Sequence, residues 1–438
     1  MLDISRYDNI VFKGAIDVSL LDDKSRLYQL WMLWKLYIDF FVIGNNHIKK
    51  IMFFNLIGII LTHKGLGYAT SDKQVMTRIH TFYFQRARSG KGEAMKAKHT
   101  LCEYLKIPSR HTNSDNTASA VGTCQKDKNT KNVSSREGHL KTVFDYSWDE
   151  GSILISKSSG SADVSMTDIL QGVMDEPGMV SKGMAWGDIE YATNSSICAG
   201  SYILPRFAQS FMNNGFFQRM VISYVIIGED EKRTLRNYVP LLKTRFDPVE
   251  IERIKLAFKR VVDSIPKRTS AIKFKKDDVV RFTNYYDLIY ENLIKNQYVG
   301  RTQEVLESFS DMCYLIVDKI AAQKAIIEGK DEVTYEDMLL ALPIIKIHMA
   351  SVLDMFNSVE RPELSPTERR EERIINVIKQ YPRTSTQQFI IDRLESERRM
   401  GKWDLGRDKT SQVIHLMISK KILLIENIKD VRLLKINA

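Results

Sequence analysis

A junction at residues 78–106 constrains this chain more than any other stretch. The run RIHTFYFQ (78–85) alternates and is β-prone, so it reads as a strand. A Gly/Ser/Arg loop follows (86–92), and then a helical stretch, EAMKAKHTLCEYLK (93–106). A strand, a small-residue loop with Gly-Lys and a helix make up the physical recipe for holding a nucleotide's phosphates. Backbone N–H groups and the helix N-terminus supply partial positive charge, and the lysine reaches the β- and γ-phosphates. Ser89, Gly90, Lys91 and Gly92 are the candidate phosphate contacts. Two positions depart from the usual pattern: its first glycine is Gln85, and its final Ser/Thr, the usual Mg²⁺ ligand, is Gly92. On these residues alone, an ordinary basic surface turn is the competing reading.

What surrounds the junction places it in a layered α/β region. Short strand-like runs, VFDY (143–146), SILIS (152–156), SSICAGSYI (195–203) and MVISYVII (220–227), alternate with helical ones. Upstream, residues 24–66 read as two buried helices. The stretch 29–43 is broken by Lys35 and Asp39, and 51–61 is an 11-residue apolar run, short of the ~20 a spanning helix needs. The expectation is no membrane association and a cytoplasmic protein. Four cysteines without a CxxC argue for a reducing compartment and against a zinc ribbon, and the scattered histidines suggest no metal site.

Four regions follow: an N-terminal helical region (1–70), an α/β core (71–240), a helical region (241–360) and a compact C-terminal module (367–438). Within the core, the Ser/Asn/Thr/Lys-rich segment 108–139 reads as a disordered insertion. Prolines at 362 and 366 mark the linker to the last module.

The segments ILQGVMDEPGMVSKGMAWGDIEYATNSSICAGS (169–201) and GFFQRMVISYVIIGEDEKRTLRNY (215–238) resemble the AAA+ core of the minichromosome maintenance (MCM) replicative helicases. The likeness lies in the order and spacing of a helix, an insert, a hairpin, the sensor-1 strand and an arginine-bearing segment. It implies an α/β P-loop AAA+ core with an all-α lid, followed by a winged helix-turn-helix domain. It further implies ATP and Mg²⁺ as cofactors, DNA as partner and a homo-oligomeric, hexameric ring acting in DNA replication; a mobile element or viral replication system is the expected source. Carried over residue by residue, Lys91 is the phosphate-loop lysine. Arg219 falls where the family's arginine finger completes a neighbouring subunit's site. Lys182 and Trp186 lie in the insert and hairpin that face DNA, and Arg301 resembles the sensor-2 arginine. Without the resemblance, Arg219 is also a solvent-facing arginine and Trp186 a core residue.

The catalytic carboxylates depart from that pattern. Counting back from Met174 puts the acidic strand at 152–156, where the paired carboxylates become Lys157-Ser158. The pair Asp149-Glu150 then precedes the strand, Asp175-Glu176 sits on a later helix, and Asp145 is a fallback metal ligand. The sensor-1 asparagine becomes Ser201 or Tyr202. Such losses remove several kcal/mol of transition-state stabilisation, so weak or absent ATP hydrolysis is expected. In the helical region, Thr334 and Asp337 form a capping-box variant that needs no functional explanation.

The C-terminal module holds 16 Lys+Arg against 10 Asp+Glu, so six of the chain's net +10 lie in its last 72 residues. Its pattern is three helices and a hairpin, with Ser385 and Asp408 as expected helix caps. Lys409, Thr410, Ser411 and Gln412 in the first turn of the third helix, with Lys429 and Arg432 in the wing, suit phosphate and base-edge contacts. Winged helices also serve protein contacts. Two alternatives therefore stand beside the motor: a non-enzymatic DNA-binding or replication-initiation factor on a dead AAA+ scaffold, and a protein-binding adaptor.

Overall fold

In the computed structural model the chain divides into two units, Met1–Val359 and Glu360–Ala438, and the first described elements of the first unit are two helices. The residues described are 25–42, 45–85, 89–112, 120–126, 133–149, 151, 166–184, 187–202, 215–225, 247–295, 300–360 and most of 370–436. Helix α1 (Arg26–Ile38) starts at Ser25, whose side chain accepts from the Tyr28 amide. Helix α2 (Asn46–His63) has no polar face, and every residue from Ile51 to Thr62 is buried. A helix apolar all round belongs inside a core rather than on its surface.

A small hairpin, β1 (Gly67–Ala69) and β2 (Gln74–Met76), precedes β3 (Thr81–Gln85), which is buried throughout. Helix α3 (Lys91–Tyr104) leads to β4 (Ser109–Thr112), an antiparallel pair β5 (Gly122–Lys126) and β6 (Val133–Glu137), and a single turn α4 (His139–Thr142). Strand β7 (Asp145–Trp148) and helix α5 (Met166–Met174) follow. The hairpin β8 (Gly178–Met184) and β9 (Gly187–Thr193) then leads to β10 (Ser196–Ser201) and β11 (Val221–Val225).

Five of these strands form one parallel sheet in the order β11-β3-β10-β7-β4. Four of them, β11, β3, β10 and β7, are buried along their whole length, as a parallel sheet covered on both faces requires. The chain runs from the β4 edge inward through β7 and β10 to lie beside β3, then crosses to place β11 on the other side of β3. The end of β3 is therefore a topological switch point, where open α/β sheets leave a crevice outside the strand carboxyl ends.

One sequence expectation changes here. The segment 108–139 is not a disordered insertion where it is described: β4 is the sheet's edge strand, and β5 and β6 pair with each other. Strand β7 is at 145–148, and the acidic strand expected at 152–156, with Lys157-Ser158, lies outside the described residues.

Buried polar groups fix the sheet to its helices. Lys98 on α3 donates to Asp145 Oδ1 at 2.8 Å and to Asn55 Oδ1 at 2.8 Å, all three fully buried. Burial opposes the charge on Lys98, but the Asp145 carboxylate outweighs it and holds the ammonium above its usual range. Two buried histidines accept backbone amides: Ile197 N donates to His80 Nδ1 and Ile222 N to His348 Nδ1, each at 3.0 Å.

The remaining helices are α6 (Pro248–Asp263), α7 (Lys276–Tyr290), α8 (Gly300–Glu328), α9 (Tyr335–Leu339) and α10 (Leu342–Glu360). Two-residue strands β12 (Lys273–Phe274) and β13 (Glu332–Val333) pair among them. The Thr334–Asp337 capping box forms as read from the sequence. One stretch, Tyr335–Phe356, is long and apolar enough to cross a membrane by composition, and 72% of its most apolar window is buried inside the protein.

The second unit contains α11 (Gln387–Arg399), α12 (Arg407–Ser419) and the antiparallel hairpin β14 (Leu423–Ile428) with β15 (Val431–Ile436). Ile374, Ile390, Leu394, Ile414, Met417 and Leu434 belong to its own core. The cap of α11 is Thr386, which accepts from the Phe389 amide, whereas Ser385 is buried and donates to the Tyr381 carbonyl. Gly406, not Asp408, is the cap of α12.

Candidate functional site

The carboxyl edge of the sheet gathers groups from four strands and one helix. Gln85 ends β3, and Ser89 and Gly90 lead directly into α3. Gly90 occupies the left-handed region at φ 84°, a conformation that favours glycine, and offers no side chain to cap α3. The first N–H groups of that helix therefore keep their capacity for an anion. Lys91, the first helical residue, is 9% exposed. Its Nζ donates to the Gln85 carbonyl at 3.2 Å and stands 4.5 Å from the centroid of the Tyr202 ring.

Asp149 follows the last residue of β7 and is only half-buried. A Cβ placed on Gly92 would lie 3.4 and 3.5 Å from its two carboxylate oxygens. Asp149, after β7, is thus the carboxylate beside the start of α3, and Glu150, next in the chain, lies outside the described residues. His111 on β4 contacts Asp149, with Nε2 3.0 Å from Oδ1. The strand-like run VFDY (143–146) covers the first half of β7, and Ser147 and Trp148 extend it.

Asp145 is not a metal-ligand candidate. It is spent on Lys98 and on the Ser147 hydroxyl, inside the core. At the end of β10, Gly200 lets Lys91 and Met95 pass: a Cβ there would meet Met95 Cε at 2.6 Å. Ser201 is fully buried, and Tyr202 is 45% exposed beside Lys91. The Ser89 and Ser201 hydroxyls are both buried with no hydrogen-bond partner among the described residues. Unsatisfied hydroxyls beside a lysine and an uncapped helix are what a polyanionic ligand would satisfy. Gly92 supplies no hydroxyl for a cation, so a metal beside the phosphates would fall to Asp149. Among the described residues no group of three or more His, Cys, Asp or Glu is arranged to hold a metal ion.

The other predicted residues lie elsewhere. Arg219 immediately precedes Met220 and β11, at the amino edge of the sheet, the end opposite Lys91. Its Nε donates to Asp175 Oδ1 at 2.8 Å and its Nη1 to the Gly215 carbonyl. Next to Asp175, Glu176 bonds Arg78 and Lys319; burial works against its charge, but these two cations hold the carboxyl below its usual range. Lys182 lies on β8, opposite Ile189, and Trp186 is outside the described residues. Arg301 begins α8, and its side chain is outside the description, as is Lys429.

In the second unit, Lys409, Gln412 and Arg432 are exposed. Thr410 is not available to a ligand. It is 1% exposed, accepts from Trp403 Nε1 at 3.0 Å and donates to the Gly406 carbonyl. Ser411 accepts from Gln387. No protein-family model matches the chain, and no curated protein matches it in sequence.

Proposed function

We propose that the first unit is a P-loop ATPase of the AAA+ kind, similar to the MCM helicases, which binds ATP at the carboxyl edge of its sheet and works on DNA as a ring. The observation that carries this reading is the convergence of Lys91, the left-handed Gly90 turn and Asp149 at the switch point of a parallel sheet. Ser89, Gly90 and Lys91 would hold the phosphates, with the Ser89 hydroxyl and the α3 amides as donors. Mg²⁺, when bound, neutralises phosphate charge, and Asp149 is the residue to hold it. Glu150, the next residue, is the candidate for orienting the attacking water, and Ser201 occupies the sensor position.

In this proposal Asp149 and Glu150, which follow β7, supply the acidic pair, while the sensor position at Ser201 still lacks its asparagine, so the hydrolysis proposed is weak. A second reading, a scaffold that binds nucleotide without turning it over, is favoured by Gly92 in the place of the usual Ser/Thr. For the second unit, a basic winged-helix module contacting DNA through Lys409, Gln412 and Arg432 is supported by its exposed cations and by the hairpin after α12.

Steady-state ATP turnover by the full chain, with and without DNA, separates the readings. The proposal expects Mg²⁺-dependent turnover that falls by 100-fold or more in Asp149→Asn, on the order of 3 kcal/mol. ATP binding should persist in that variant. Binding without turnover in the unaltered chain would favour the scaffold.

A further inference from the structure

Asn45 lies forty residues upstream of the phosphate loop, yet its side chain grips both ends of it. It caps α2 from the left-handed region, at φ 48° and ψ 55°, with Oδ1 accepting from the Ile48 amide at 3.4 Å. Its Nδ2 carries two protons, and both are used. One goes to Gln85 Oε1 at 2.8 Å and the other to the Ser89 carbonyl at 3.0 Å. The orientation of the amide is unambiguous, because an N–H faces one end and a carbonyl oxygen the other.

The neighbours of Asn45 reinforce the grip. Val42 is buried against Gly90, so that a Cβ on Gly90 would meet Val42 Cγ1 at 2.8 Å. On α1, the Tyr37 hydroxyl donates to the Ala97 carbonyl of α3 at 3.0 Å. The helical pair that precedes the core thus touches the strand end, the loop and the helix that together make the phosphate site.

We infer that Asn45 is a positioning residue for the phosphate site, fixing Gln85 and Ser89 on either side of residues 86–88. The inference rests on the reading of that loop as a nucleotide site. It also accounts for Gln85 at a position where the usual pattern has glycine. A glutamine there has a side chain that must be stowed. Asn45 takes its oxygen, while its own Nε2 lies 3.4 Å from the Ser223 hydroxyl on β11.

Two substitutions separate positioning from folding. Asn45→Asp and Asn45→Ser each keep an oxygen that can cap α2, and each lose the paired amide donors; only the first adds charge. Two measurements on the full chain then suffice: affinity for a fluorescent ATP analogue, and amide hydrogen exchange over residues 85–95 without nucleotide. Both variants are expected to keep a cooperative unfolding transition, to bind the analogue 5- to 20-fold more weakly and to exchange faster across the loop. Parent-like exchange in both variants would overturn the inference, as would parent-like affinity in Asn45→Ser. If the unaltered chain binds no analogue, the nucleotide reading fails, and the exchange measurement still decides whether Asn45 orders the loop.

Discussion

Gly92 is the residue on which the chemistry of the site turns. It replaces the hydroxyl that usually helps hold Mg²⁺, yet its Cα looks straight at Asp149, with room for a Cβ at ordinary contact distance. Gly92→Ser should therefore fit without displacing backbone. It should lower the Mg²⁺ concentration needed for half-maximal turnover severalfold, and raise stability by up to about 0.5 kcal/mol through helix propensity. An unchanged Mg²⁺ requirement would argue against Asp149 as the metal-side carboxylate. The buried histidines give a second residue-scale test. His80 and His348 accept backbone amides through Nδ1, so each ring must be neutral with its proton on Nε2. Burial lowers both, His348 to about 3 from an ordinary 6.5. Below pH 6.5 the unfolded chain takes up protons that the fold refuses. The stability these rings provide is thus fully present above 6.5 and falls with pH, by about 1.4 kcal/mol per unit for each ring. Asp318, pushed up to about 7 by burial, runs the opposite way, losing its contribution as pH rises toward 7. Comparing chemical denaturation of the parent with His348→Gln between pH 7.5 and 5.5 isolates the histidine. The variant should show a shallower loss.

At the scale of elements, the second unit shows how sequence and structure divide the explanation. Thr410 looks like an exposed polar residue at a helix start, but the Trp403 indole turns it inward. Thr410→Val should cost about 1–2 kcal/mol of stability, by leaving that indole N–H without its acceptor, and should not alter DNA affinity. Lys409→Ala should do the reverse, keeping the melting temperature and reducing the salt dependence of DNA binding by about one phosphate contact. The helices α1, α2 and α3, the strands β3, β10 and β11, and the capping box at Thr334 were all legible because apolar spacing or cap chemistry is local. Strand β7 was legible only in its first half, within the run VFDY: Asp145 is tolerated inside a sheet only because Lys98 and Ser147 meet it there, and Lys98 is 47 residues away. Strand β4 was hidden for another reason. As an edge strand its residues are half-buried, and a polar Ser-Arg-His-Thr sequence suffices. Neither Asn45 nor His111 carried any local signal, since each acts through a partner distant in sequence.

For the whole molecule, the arrangement of the sheet matters more than any single motif. Lys91 and Asp149 are at its carboxyl edge, and Arg219 is at its amino edge, paired with Asp175. An arginine at that end does not reach its own chain's Lys91 site, so a finger role for Arg219 belongs to the ring proposal alone. The nucleotide site is the part to test first. Calorimetric titration of the full chain with a slowly hydrolysed ATP analogue and Mg²⁺ does so most directly. The account predicts saturable binding that is lost in Lys91→Ala, with both proteins equally folded. Absence of binding by the parent, or undiminished binding by Lys91→Ala, would contradict it.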